Sequence, residues 1–145
     1  MKAVVPALLV GLTLAGLDAA VAGESVEYVY RLHCSGCHGN EGAGSKIGRI
    51  PPFVGIVGHF AAGPEGRLYL VRVPGVANAA LPDADTANLL NYVLRNWGGH
   101  DLPAHARDFT AAEVHELRGI NVDDVAALRR RLAAELLKQG ISVNY

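Results

Sequence analysis

Cys34-Ser35-Gly36-Cys37-His38 is the stretch that decides how the rest of this sequence reads. Two thiols at i and i+3, followed at once by an imidazole, form the pattern of covalent c-type haem attachment. Each thiol can add across one vinyl group, giving two thioether bonds, and the adjacent His38 supplies an axial nitrogen to the iron. The spacing suits that chemistry because Cys34 and Cys37 fall about one helical turn apart and so span one edge of the macrocycle. Zinc is a competing reading, but zinc takes about four ligands, and the chain has no second Cys pair. A thioredoxin-like redox pair is another, but it belongs in a βαβ pattern, which this chain lacks. The motif therefore predicts one haem c, anchored by Cys34 and Cys37 with His38 as proximal iron ligand.

The 145 residues suffice for one domain. Hydrophobic residues make up 50 %, a figure raised by the N-terminal segment, and the formal net charge is −1. No basic excess points to nucleic acid. Both cysteines belong to the haem motif, so none remains for a disulfide. Met1-Lys2, the apolar run Val4 to Leu17 and the small-residue site Ala20-Val21-Ala22 read as a secretory signal peptide, residues 1–22, cleaved after Ala22. The run is short for a membrane span of about 20 residues, so no stable span is expected after cleavage. Export to the periplasm also suits the cofactor, because bacteria attach c-type haem outside the cytoplasm.

Onward from Glu24 the periodicity is helical. Glu24 to Leu32 predicts a first helix running directly into the haem motif. Gly39 to Ser45 is a Gly-rich loop, and Ile50-Pro51-Pro52-Phe53 is extended. Pro64 to Val71 predicts a short helix, broken by Pro74-Gly75, with a loop of small residues from Val76 to Leu81. Asp83 to Trp97 is the clearest helix: acidic residues in its first turn, Arg95 in its last, an apolar stripe from Leu89 to Trp97, and Gly98-Gly99 as its stop. Residues 23–99 are thus the expected haem domain. Residues 100–145 are expected as a linker and a C-terminal helical extension. In it, Thr110-Ala111-Ala112-Glu113 is a capping box, and Asn121 is expected to cap a last helix from Val122 to Gln139. Arg129, Arg130 and Arg131 read as a solvated face.

From Val26 to Trp97 the chain resembles the class I c-type cytochromes. The resemblance is carried by Tyr30 four residues before the first Cys, the haem motif, the Gly-rich loop, Pro51 or Pro52, Leu68-Tyr69-Leu70, and Tyr92-Val93 on the last helix. It implies an all-α fold wrapped around one covalent haem, with the first and last helices crossing near Tyr30 and Tyr92. It implies haem contacts from Pro52 and Tyr69, with a Pro carbonyl accepting from the axial His.

One departure stands out. The family's usual sixth ligand is a Met in the loop before the last helix, and Met1 is the only Met here. The corresponding loop, 74–82, is expected to cover the distal face, with Asn78 its one side chain able to reach iron. His59, His100, His105 and Lys46 are the other candidates. His59 suits a haem propionate as well as the iron. An empty sixth site is the remaining possibility.

The resemblance implies a periplasmic one-electron carrier rather than an enzyme, passing electrons between redox partner proteins on the dehydrogenase and terminal-oxidase sides of a respiratory chain. A quinoprotein-type dehydrogenase is the partner it suggests. The alternative is a haem protein with an open sixth site that binds O2, NO or CO. Weak peroxidase activity ranks last, because no acid–base pair accompanies the motif.

Overall fold

The structure, a computed structural model, describes residues 25–143; the expected signal peptide lies outside them. It is helical, with one isolated bridge between Ser45 and Ile50. Helix α1 (Val26–His33) opens on Ser25, whose hydroxyl accepts from the Tyr28 N–H, satisfying one donor that a helix start leaves unpaired. It buries Val29 and Tyr30. The chain kinks at Cys34 and resumes as α2 (Ser35–His38).

The loop after α2 folds back over it. Gly44 N–H donates to the His38 carbonyl (2.9 Å) and Phe53 N–H to the Gly42 carbonyl (2.8 Å). Gly42 sits at φ +64°, and a Cβ there would lie 2.8 Å from the Phe53 ring. Both the backbone angle and the space demand glycine.

Helices α3 (Val57–Ala61) and α4 (Pro64–Arg72) pack together. Pro74-Gly75, expected to break the chain into a loop, instead opens a further turn, α5 (Pro74–Ala77). Proline's fixed φ and missing N–H suit a first helical position, and the Asn78 N–H closes the turn onto the Pro74 carbonyl (3.0 Å).

Helix α6 (Asp83–Trp97) has the expected bounds and crosses α1. At the crossing the Tyr30 ring lies 5.6 Å from Tyr92 and 4.9 Å from Trp97, centroid to centroid. Tyr30 is 1 % exposed, whereas Tyr92 is half-buried. Burial pushes the Tyr30 hydroxyl up to about 12, so it stays protonated and donates to the Gly39 carbonyl (2.6 Å). That bond braces the two ends of the haem motif.

After a 3-10 turn (Gly99–Asp101) come α7 (Ala111–Gly119) and α8 (Val125–Lys138). Helix α8, expected from Val122 under an Asn121 cap, begins three residues later. The Asp124 carboxylate accepts from the Ala127 N–H (2.8 Å), while the Asn121 amide is turned to Asp123. Thr110 caps α7 as expected, and the Glu113 carboxylate reaches back to the Thr110 backbone N–H as the box requires. The same carboxylate grips the Arg67 guanidinium through both oxygens (2.5 and 2.6 Å).

Phe109, Val114 and Val143 join one core cluster with Tyr30, Phe60, Val71 and Leu89. Three polar clasps hold α7 there. Asn91 clips the Phe109 backbone, donating to its carbonyl (2.9 Å) and accepting from its N–H (2.7 Å). Arg67, 8 % exposed, lies over the Phe109 ring and donates to the Arg107 carbonyl (3.0 Å). Arg118 pairs with Asp83 and donates to the Leu81 carbonyl and the Thr86 hydroxyl.

Candidate cofactor site

Cys34 stands where α1 ends and α2 begins. Its carbonyl accepts from the N–H groups of Cys37 (3.2 Å) and His38 (2.9 Å), which places the two thiols one turn apart. Cys34 is half-buried and Cys37 exposed, and neither forms a disulfide. Burial, then the neighbouring Cys37, pushes the Cys34 thiol up to about 11.

Both cysteines and His38 lie on the wall of a cleft of about 390 Å³. The remainder is largely apolar: Ile50, Pro51, Pro52 and Phe53 from the loop, Ile56, Val57 and Phe60 near α3, Val73 to Val76 around α5, and Leu89, Leu90 and Val93 from α6. The His38 ring stacks on Phe53, centroids 4.1 Å apart and planes 16° apart. Phe53 leans in turn on Trp97 and Tyr30, so the aromatic cluster at the helix crossing fixes the imidazole.

Burial lowers the His38 pKa, and the Pro51 carbonyl beside it pulls the other way. Nδ1 is buried and makes no hydrogen bond of ordinary geometry, so Pro51 approaches the ring without fully holding its proton. Of the two prolines, Pro51 faces the imidazole; Pro52 lines the cleft.

This donor set suits haem c: two thiols on one edge, an imidazole kept neutral by burial, and apolar walls for a flat macrocycle. Tyr69 lines the same cleft and packs on Phe60, centroids 4.9 Å apart.

The distal candidates are elsewhere. Asn78 caps α5 as an exposed turn residue off the cleft wall. His59 turns toward Asp101, its Nε2 lying 3.3 Å from Oδ1, and it too is off the wall. His100, His105 and Lys46 are exposed. From the 74–82 loop, only Pro74, Gly75 and Val76 reach the cleft.

Two wall residues escape the reading of the sequence. Phe53 stands there only as part of an extended stretch. Arg129, expected to be solvated, lines the cleft, while Arg130 and Arg131 are exposed. The sequence does hold a signal for it: Val125, Arg129, Leu132 and Leu136 recur at helical spacing, so Arg129 belongs to the apolar face.

No family model matches the chain. The chain is 32 % identical to a protein named Cytochrome c-552 from Thermus thermophilus over 145 aligned residues, covering 86 % of this chain and 95 % of the relative. It is also 32 % identical to a second Cytochrome c-552 from the same species over 119 residues, covering 68 % of this chain and 90 % of the relative.

Proposed function

This chain belongs to the c-type cytochromes, and from that premise we propose that it is an exported, monohaem, Met-less class I electron carrier whose haem c occupies the cleft beside Cys34, Cys37 and His38. The observation that carries the reading is the convergence of both thiols and the buried imidazole on one apolar cleft. When bound, haem supplies one-electron exchange between ferric and ferrous iron. Cys34 and Cys37 anchor it. His38 would hold the iron through its imidazole, which the Phe53 stack and the Pro51 carbonyl orient. The apolar wall excludes water, so a change of charge meets little solvent rearrangement. Exposed Cys37 marks the edge at which a partner docks. Residues 23–99 are the haem domain in this reading and 100–145 the extension, whose described part, 100–143, packs against it. The proposed partners are a periplasmic dehydrogenase, of quinoprotein type, and an oxidase-side acceptor. Lacking a thioether ligand, which favours Fe(II), the protein should have a lower reduction potential than a Met-ligated c-type cytochrome.

A second reading follows from the cleft wall. Asn78, His59, His100, His105 and Lys46 all lie off it, and the 74–82 loop, which stands where the family's Met would be, reaches the wall only through Pro74, Gly75 and Val76. Such a site leaves the sixth position open to a neutral diatomic ligand such as CO or NO.

Mass spectrometry and the optical spectrum test both readings. The mature mass should exceed the polypeptide mass by one haem that acid–acetone does not extract; extraction would overturn covalent attachment. CO should shift the ferrous spectrum of the wild type, and His59→Ala and Asn78→Ala should leave the spin state unchanged. A low-spin spectrum indifferent to CO would refute the open site and leave the carrier role standing. A high-spin shift in either variant would identify that residue as the ligand.

A further inference from the structure

Haem c carries two propionate carboxylates on the edge of the macrocycle remote from its vinyl groups. Held at Cys34 and Cys37, the group would present its propionates to a part of the cleft wall away from the haem motif. We propose that Arg129, on the C-terminal helix α8, is the residue that binds a haem propionate there.

Arg129 is the only Lys, Arg, Asp or Glu on the cleft wall among the described residues. The two arginines that follow it behave differently. Arg130 lies 3.5 Å from Asp124 and Arg131 2.7 Å from Glu65, both on the exposed surface. Arg129 is turned inward. Its Nη2 donates to the carbonyl of Val143 (3.0 Å), a residue only 1 % exposed, and its guanidinium lies 5.9 Å from the centroid of Phe60. Tyr69, on the same wall, packs against that same ring. Phe60 thus brings a guanidinium and a phenol together on one part of the cleft wall. A planar guanidinium there is stabilised by an anion brought to the wall, and its fork matches a carboxylate. The inference rests on haem occupying this cleft, and it gives the C-terminal extension a direct role at the cofactor.

The test uses holoprotein. Arg129→Gln should lower the midpoint potential, because removing a positive charge near the iron favours the ferric state. It should also shift the propionate bands in the redox-difference infrared spectrum. Arg129→Lys, which keeps the charge, should restore most of the potential and remains informative if Arg129→Gln does not fold. Arg130→Gln, the same charge change on the same helix, should leave both readouts near wild type. The inference is overturned if Arg129→Gln and Arg130→Gln give the same potential and the same bands, or if Arg129→Lys shifts both as far as Arg129→Gln, which would make the role one of packing. Absence of covalent haem from the wild type, read from its mass, would instead overturn the cleft as the haem site.

Discussion

Replacing Asn91 by Ala tests how firmly the C-terminal extension is tied to the haem-binding helices. Asn91 is 5 % exposed and Phe109 3 %, so the two hydrogen bonds between them (2.9 and 2.7 Å) are out of water. Alanine removes both and leaves the Phe109 N–H and carbonyl without the side chain that satisfied them. An unpaired buried polar group costs about 1–3 kcal/mol, so the pair predicts a loss of roughly 2–6 kcal/mol. Against a total stability of about 5–15 kcal/mol, that is a large share. Asn91→Asp should cost at least as much, because a carboxylate can accept from the N–H but repels the Phe109 carbonyl. Urea unfolding of the holoprotein, followed through Trp97 fluorescence, gives the number. Limited proteolysis in 100–108 should accelerate in parallel. A loss below about 1 kcal/mol, with unchanged proteolysis, would refute the argument: water would have replaced the amide, and the extension would be held by other contacts.

Two further outcomes follow from burial and charge. Tyr30→Ala should cost about 3–5 kcal/mol through cavity formation, and Tyr92→Ala distinctly less, because Tyr92 keeps solvent contact; equal losses in urea titrations would place the helix crossing elsewhere. The Arg67 guanidinium holds the Glu113 carboxyl below its ordinary pKa, so the pair stabilises the fold above the unfolded-state value of about 4.3 and ceases to as pH falls through the lower folded value. Glu113→Gln should therefore be less stable than wild type at neutral pH, with the gap closing as pH drops below about 4. Parallel stability curves from pH 7 to pH 3 would show that the pair contributes nothing pH-dependent.

The parts of this molecule that are legible in its sequence are those decided by neighbours along the chain. The haem motif needs only a five-residue window. Helix α6 carries its own start, stripe and stop in Asp83, Leu89 to Trp97 and Gly98. The Thr110 cap is likewise local. Ambiguity arises where one residue type can serve two roles. Pro74 can break a helix or begin one, and the difference is whether the next residues close the turn. Asn121, Asp123 and Asp124 can each cap, and the winner is the one whose carboxylate meets the Ala127 N–H. Arg129 is opaque for another reason. A run of three arginines looks solvated on its own, and the inward turn of its first member depends on Phe60 and Val143, which are distant or downstream in sequence. Asn78 is a plausible ligand by its offset from His38, and His59 by its apolar stretch; their positions are set by the α5 turn and by Asp101.

The cleft draws its wall from the first described helix and from the last. That has a consequence for the order of assembly. A chain emerging N-terminus first presents Cys34 to His38 long before α8 exists to complete the enclosure. The thiols are thus accessible to an attachment machinery while the pocket is still an open trough. Enclosure then requires a long loop to close, a step whose entropic cost falls late. Once α8 has docked, Arg129 completes a wall that Cys34 and Cys37 began, so the two ends of the described chain meet at one cleft.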